Sequence, residues 1–347
     1  MIDALNWTLA LAPVLLLAVL FEWLDVFRLM DKRELLGLLL LGGLAALAAW
    51  PVSGQVLDNL PMGFTFYSRI VAPWIEEALK GAAILWLVWR NRVGFTLDAV
   101  ICGFTIGAGF SVVENVFYLL RYPDLAAGVW LVRGFGTAVM HGTTTAILAT
   151  IVHELGEGAE RRGGGRFHLS LLWFVPGYLA ASLIHLAFNQ FPDSPAEVMA
   201  VTLAVAPFVL LMLLRLGARE TESWLVEERA EHEVSLAAWR GGDFPDDASG
   251  RRIAALVARA GEQQGRLIRA YCQLKTELVL VEERELLDHH RHVEPDQRVV
   301  LLDQLAELER LRGAIGQAGF AALQPLLPFS RHDDWELLEL KHLLRHH

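Results

Sequence analysis

Up to Gly217 the chain is a succession of long apolar stretches separated by short polar connections. A run of about 18 or more apolar residues, rising about 1.5 Å per residue as a helix, crosses ~30 Å of hydrocarbon. Lipid offers no partners to backbone N–H and C=O groups, so such segments fold as helices. Seven spans are expected, roughly Trp7–Val26, Leu35–Val52, Ile70–Trp89, Leu97–Leu120, Phe135–His153, Leu171–Phe191 and Glu197–Leu216. The expected fold class is all-α: a polytopic transmembrane helix bundle of about seven spans with a C-terminal cytoplasmic helical domain. The stretch Tyr122–Gly134 reads in three ways: a re-entrant loop, an amphipathic segment or the start of a longer fifth helix.

Composition changes at Gly217. Residues 218–347 carry 17 Lys/Arg and 24 Asp/Glu, against 13 and 16 before them. Two domains follow, a membrane core over 1–217 and a helical tail over 218–347. The net charge of -10 argues against a nucleic-acid partner, because phosphate binding needs a basic footprint. Cys102 and Cys272 fall in different domains and form neither a disulfide framework nor a zinc site by themselves. Met1-Ile2-Asp3 lacks the positive region of a signal peptide, so the first apolar stretch is expected as a retained helix.

Orientation follows from the basic residues of short loops. One side has Arg28, Lys32, Arg33, Arg90, Arg92, Arg161, Arg162, Arg166, Arg215 and Arg219; the other has Arg69, Arg121 and Arg133. The N-terminus is expected outside and the tail cytoplasmic, in a bacterial inner membrane.

Ionisable groups within hydrocarbon cost a few kcal/mol each and persist where they face a bundle interior or a wet cavity. Span three holds Glu76, Glu77 and Lys80; span four Phe110, Glu114 and Asn115; span five His141; span six His185 and Asn189. Counted from the nearest outer helix end, Glu76, Glu114 and His185 each lie ~9 Å deep, and His141 matches if its span starts at Phe135. Residues four apart share a face, pairing Glu76 with Lys80, Phe110 with Glu114, His141 with Thr145 and His185 with Asn189. Glycines nearby let the helices approach closely. Glu22 and Asp25 read as helix-end acids, and Arg133 reads first as an outer-interface anchor and second as a residue that approaches substrate.

These residues, in this order on successive spans, resemble the PrsW family of intramembrane proteases. The pattern is also similar to the related type II CAAX-processing endopeptidases, which carry Glu-Glu followed by Arg, and a His where this chain has Glu114. The Glu114-Asn115 pair and Lys80 favour PrsW. The resemblance covers about Leu35–Leu216 and implies hydrolysis of a peptide bond in a membrane-anchored protein, near the extracytoplasmic side; an anti-sigma-factor-like substrate fits. It implies Glu76 or Glu77 as the base that activates water, with Lys80 holding a carboxylate charged. His141 or Glu114 would position the water, and His185 and Asn189 would donate to the oxyanion. A metal-free glutamate site with no cofactor is the preferred form. Zinc is the alternative, held by His141, His185 and Glu114 or Glu77. There is no His-Glu-x-x-His helix motif. Competing functions are a proton-coupled transporter or channel, and a non-catalytic membrane scaffold.

In the tail, Ile253, Ala260, Leu267, Leu274 and Val281 recur every seven, a coiled-coil-like stripe weakened at Gln264 and Gly265. Leu301, Leu305, Leu308 and Leu311 mark a second helix, with a turn at Glu294-Pro295 and a loop over Gly241–Gly250. The tail is expected to self-associate or bind a cytoplasmic partner. His289, His290, His292, His342, His346 and His347 read as solvated.

Overall fold

A computed structural model describes residues 4–24, 30, 32–162, 170–191, 194–287 and 293–346. Asp25, Arg28, Arg166, His289, His290, His292 and His347 lie outside the described residues, as do the side chains of Glu22, Arg161, Arg162 and His346. Every regular element among the described residues is helical. The chain divides into two compact units, Met1–Glu220 and Thr221–His347.

The first unit contains α1 (Ala4–Leu24), α2 (Lys32–Asn59), α3 (Phe64–Phe66), α4 (Ala72–Trp89), α5 (Thr96–Arg121), α6 (Ala127–Val132), α7 (Ala138–Arg162) and α8 (Leu171–Asn189). It also holds the first part of α9 (Pro195–Arg240). Two π-helical segments, Tyr67–Val71 and Arg133–Thr137, join α3 to α4 and α6 to α7 without a break. The stretch after Tyr122 is thus the early part of a long fifth helix. Among the described residues five helices are long and apolar enough to cross a membrane: Lys32–Asn59, Thr96–Arg121, Ala127–Ala159, Leu171–Asn189 and Pro195–Arg240. Of the seven expected spans, the first and third are not among these five; α4 carries Glu76, Glu77 and Lys80 within its 18 residues. The chain is an integral, multi-pass membrane protein.

Its hydrophobic surface fits that environment. On α9, Val201, Val205, Phe208 and Met212 are exposed, as are Leu36, Leu40 and Leu44 on α2. Large apolar side chains facing outward at helical spacing are favourable in lipid and costly in water. By contrast α5 is buried along nearly its whole length. Missing side chains allow this. A Cβ at Gly109 would lie 2.1 Å from the Leu39 carbonyl oxygen of α2, and one at Gly42 would lie 2.0 Å from that of Ile106. On the opposite side Gly103 meets the backbone of Thr145 and Ala146 on α7. Without a hydrophobic force between helices in lipid, such close packing is what holds them together. Asp98 accepts from the backbone N–H groups of Gly94 and Phe95 at 2.9 and 3.1 Å, closing the start of α5.

The second unit holds the rest of α9 with α10 (Ala248–Ala260), α11 (Glu262–Leu287), α12 (Pro295–Ile315), α13 (Gln317–Leu323) and α14 (Arg331–His346). Its core gathers Trp239, Ile253, Ile268, Cys272, Leu278, Leu305 and Leu340. The heptad stripe does not run through one helix. Gly261, at φ 86°, breaks it between α10 and α11, a backbone conformation that glycine adopts without Cβ strain. Val257 then packs against the bare face of Gly265. At the start of α14, Ser330 and Asp333 form a reciprocal cap. The Ser330 hydroxyl accepts from the N–H groups of His332 and Asp333 at 3.1 and 3.3 Å, and Asp333 Oδ2 accepts from the Ser330 N–H.

Candidate active site

Four helices and one π segment bring the ionisable residues of the first unit together. α4 contributes Glu77 and Lys80, three residues apart, with Nζ 2.5 Å from Glu77 Oε1 and both side chains fully buried. The four-residue spacing pointed to Glu76 as the partner of Lys80; the contact goes to Glu77 instead. Glu77 Oε1 also meets His185 Nδ1 of α8 at 2.8 Å and accepts from the Thr144 hydroxyl of α7 at 3.3 Å. Lys80 Nζ lies 2.9 Å from His141 Nδ1 and 4.8 Å from the centroid of the Phe110 ring. His141 Nε2 in turn meets Glu114 Oε2 of α5 at 3.0 Å. The two imidazoles stand edge to face, with centroids 4.8 Å apart.

This chain of contacts sets the tautomers. An ammonium can only donate, so His141 Nδ1 accepts from Lys80 and its Nε2–H donates to Glu114. At His185, Nδ1–H donates to the Glu77 carboxylate, which leaves the Nε2 lone pair directed elsewhere. Glu76 Oε2 lies 3.8 Å from that Nε2.

Accessibility separates the carboxylates. Glu77 is sealed, whereas the side chains of Glu76 and Glu114 keep 16% and 20% of their exposure. Glu76 Oε2 and Glu77 Oε2 are buried oxygens with no hydrogen-bond partner among the described residues.

Arg133 sits in the second π segment with its side chain largely buried against the cluster. Its guanidinium lies 3.1 Å from Glu114 Oε1, donates from Nε to Asn115 Oδ1 at 3.0 Å, and stacks 3.8 Å from the centroid of Tyr118. A lone arginine in the apolar run Val129–Met140 was the available signal. Thr144 was the other omission.

The two asparagines do not join the carboxylates as equals. Asn189 Nδ2 donates to the Ser68 carbonyl at 3.0 Å, and its neighbour Gln190 donates to that of Arg69 at 3.1 Å. Both carbonyls belong to the first π segment, so Asn189 fastens α8 to that segment. Asn115 does the same for the second, donating to the carbonyls of Arg133 at 3.4 Å and of Ala10 at 2.9 Å.

The family model described as PrsW family intramembrane metalloprotease matches residues 31–214, more than half of the chain. This chain belongs to the PrsW family. Comparison with curated proteins and with solved structures gave no match. PrsW membership makes the chain a membrane protease and gives the buried cluster its context. The family description also raises the question of a metal. Glu76, His141 and His185 each offer a ligand atom, all within 4.8 Å of one another. Two imidazoles and a carboxylate form a familiar zinc set, and the Glu77 contact to His185 Nδ1 is the support that ligating histidines usually have. The unpartnered Glu76 Oε2 fits as well. The sequence offered Glu114 or Glu77 as the third ligand; the carboxylate within 4.8 Å of both rings in this set is Glu76. His141 would have to exchange its Glu114 contact for the ion.

Proposed function

We propose that this PrsW-family chain is an intramembrane endopeptidase that cuts a membrane-anchored protein near the extracytoplasmic side. The observation that carries the reading is the convergence of Glu76, Glu77, Glu114, His141 and His185 from four helices on one cluster with a partly accessible rim. Burying this much charge is costly, and a bundle that needed only packing would place apolar groups there. The basic residues of the short loops support the orientation, with the tail in the cytoplasm of a bacterial cell.

Within that reading the residues divide the work. Glu76, whose buried Oε2 has no hydrogen-bond partner among the described residues and lies 3.8 Å from His185 Nε2, accepts the proton of the attacking water. Glu77 is a positioning residue: it fixes the His185 tautomer and holds Lys80 against His141. Glu114 orients His141, and Arg133, paired with Glu114 at the edge of the cluster, stabilises the developing oxyanion. Where a zinc-class ion is bound, Glu76, His141 and His185 would hold it, and it would supply Lewis-acid polarisation of the scissile carbonyl.

The test is cleavage of single-span substrates by the full chain in proteoliposomes, with and without chelator. Glu76→Gln and Glu114→Gln are expected to lose cleavage while remaining in the membrane. Full cleavage by both would overturn the assignment. Inhibition by chelator, reversed by Zn²⁺, separates the metal form from the glutamate-only form.

A further inference from the structure

The second unit contains a buried polar cluster that proteolysis does not use. His232 on α9 lies with Nδ1 2.7 Å from Glu283 Oε1 of α11 and with Nε2 3.2 Å from Asp333 Oδ1 of α14. Glu228, one turn before His232, joins them: ligand atoms of Glu228, His232 and Asp333 all fall within 4.8 Å of one another. Glu283, Asp333 and Glu336 are fully buried.

The hydrogen bonding is incomplete in a particular way. His232 Nδ1 meets Glu283, so Nε2 is the ring nitrogen that faces Asp333 Oδ1. That oxygen has no hydrogen-bond partner among the described residues. A ring nitrogen and a carboxylate oxygen 3.2 Å apart hold either a proton or a metal cation between them. Asp333 cannot swing aside cheaply, because Oδ2 closes the cap of α14. Glu336 is the second, independent sign. Both of its oxygens are buried and neither has a hydrogen-bond partner among the described residues. Burial first, then Glu283, Asp333, Glu228 and Glu282, push its carboxyl well above the ordinary carboxylate range. It feels the charge of the same acidic group from one turn further along α14.

We propose that Glu228, His232 and Asp333, backed by Glu283 and Glu336, form a divalent transition-metal site that pins α9, α11 and α14 together. The donors suit it. One imidazole with several carboxylates favours Mn²⁺, Fe²⁺, Co²⁺ or Zn²⁺ over an all-oxygen Ca²⁺ cage. Ligand atoms about 2.0–2.2 Å from one tetrahedral ion stand roughly 3.4 Å apart, close to the His232–Asp333 separation. Glu283 on Nδ1 is the outer-shell carboxylate that metal-binding histidines commonly keep.

The experiment uses full-length protein in detergent, stripped with chelator and titrated with Co²⁺, in a Glu76→Gln/His185→Gln background that disables the membrane cluster. Expected is uptake of one equivalent, a visible d–d absorption that Zn²⁺ abolishes, and a Tm that rises with Zn²⁺. Asp333→Asn and His232→Asn, each checked for folding by circular dichroism, are expected to lose the absorption. Glu336→Gln is expected to weaken uptake at least about tenfold. No uptake by the background protein, or uptake unchanged in a folded Asp333→Asn or His232→Asn variant, would overturn the proposal and leave a cluster held by protons.

Discussion

Gly107 on α5 lies so close to His141 on α7 that an added Cβ would sit 2.2 Å from the His141 carbonyl oxygen. The same carbonyl accepts from the hydroxyls of Thr144 and Thr145 at 3.1 and 2.8 Å, so the turn that carries His141 is held from both sides. Gly107→Ala must push α7 away and carry the imidazole off Lys80 and Glu114. A displacement of about 1 Å can cost ~10²-fold in rate, and that loss is expected in the cleavage assay. Gly37→Ala, where the new methyl meets nothing within 4 Å, is the control and should leave activity intact.

The Glu77–Lys80 pair makes a stability prediction. Both groups are wholly buried, so removing one strands the other. Lys80→Met and Glu77→Gln should each lower unfolding stability by about 3–5 kcal/mol in detergent. The double variant should recover part of that loss while remaining inactive. Independent, additive losses would show that the pair is not coupled.

Arg133 reaches Glu114 and Asn115 with two arms of a planar fork. A lysine keeps the charge and loses the fork. Arg133→Lys is expected to lower kcat about 10²-fold with little change in KM, since the lost contact serves the transition state. A change confined to KM would make Arg133 a substrate-binding residue instead.

Cys272 lies in the core of the second unit, fully buried, and burial pushes its thiol up to about 12. Its reactive thiolate is scarce below that pH. Iodoacetamide at pH 8 should leave Cys272 unlabelled in the native chain and label it after denaturation, as read by peptide mass spectrometry. Rapid native labelling would mean that this core opens readily.

Much of the membrane cluster was legible because charge is expensive in lipid and therefore conspicuous in an apolar run. Glu77, Lys80, Glu114, His141 and His185 stood out for that reason. Counting depth from helix ends did not work equally well. The fifth helix begins at Ala127, eight residues before the assumed start at Phe135, and the third extends back to Phe64. His141 meets Glu114 nonetheless, because glycine contacts set where helices cross. Arg133 was obscured by its position in an unassigned stretch. The His232 cluster was obscured for a different reason. Its members come from three helices, with His232 and Glu283 51 residues apart, and each reads alone as an ordinary charge on an amphipathic surface.

The two π segments matter beyond their own few residues. Each wider turn is one residue more than an α-helix needs, so everything downstream is rotated by roughly 100° about the axis. Asn189 and Asn115 latch onto the carbonyls of these wider turns. Deleting a single residue between Tyr67 and Val71 would therefore be a frameshift in space: the reading frame of the gene survives, but Glu76 and Glu77 swing off their compass bearing and the catalytic alphabet is presented to the wrong neighbour.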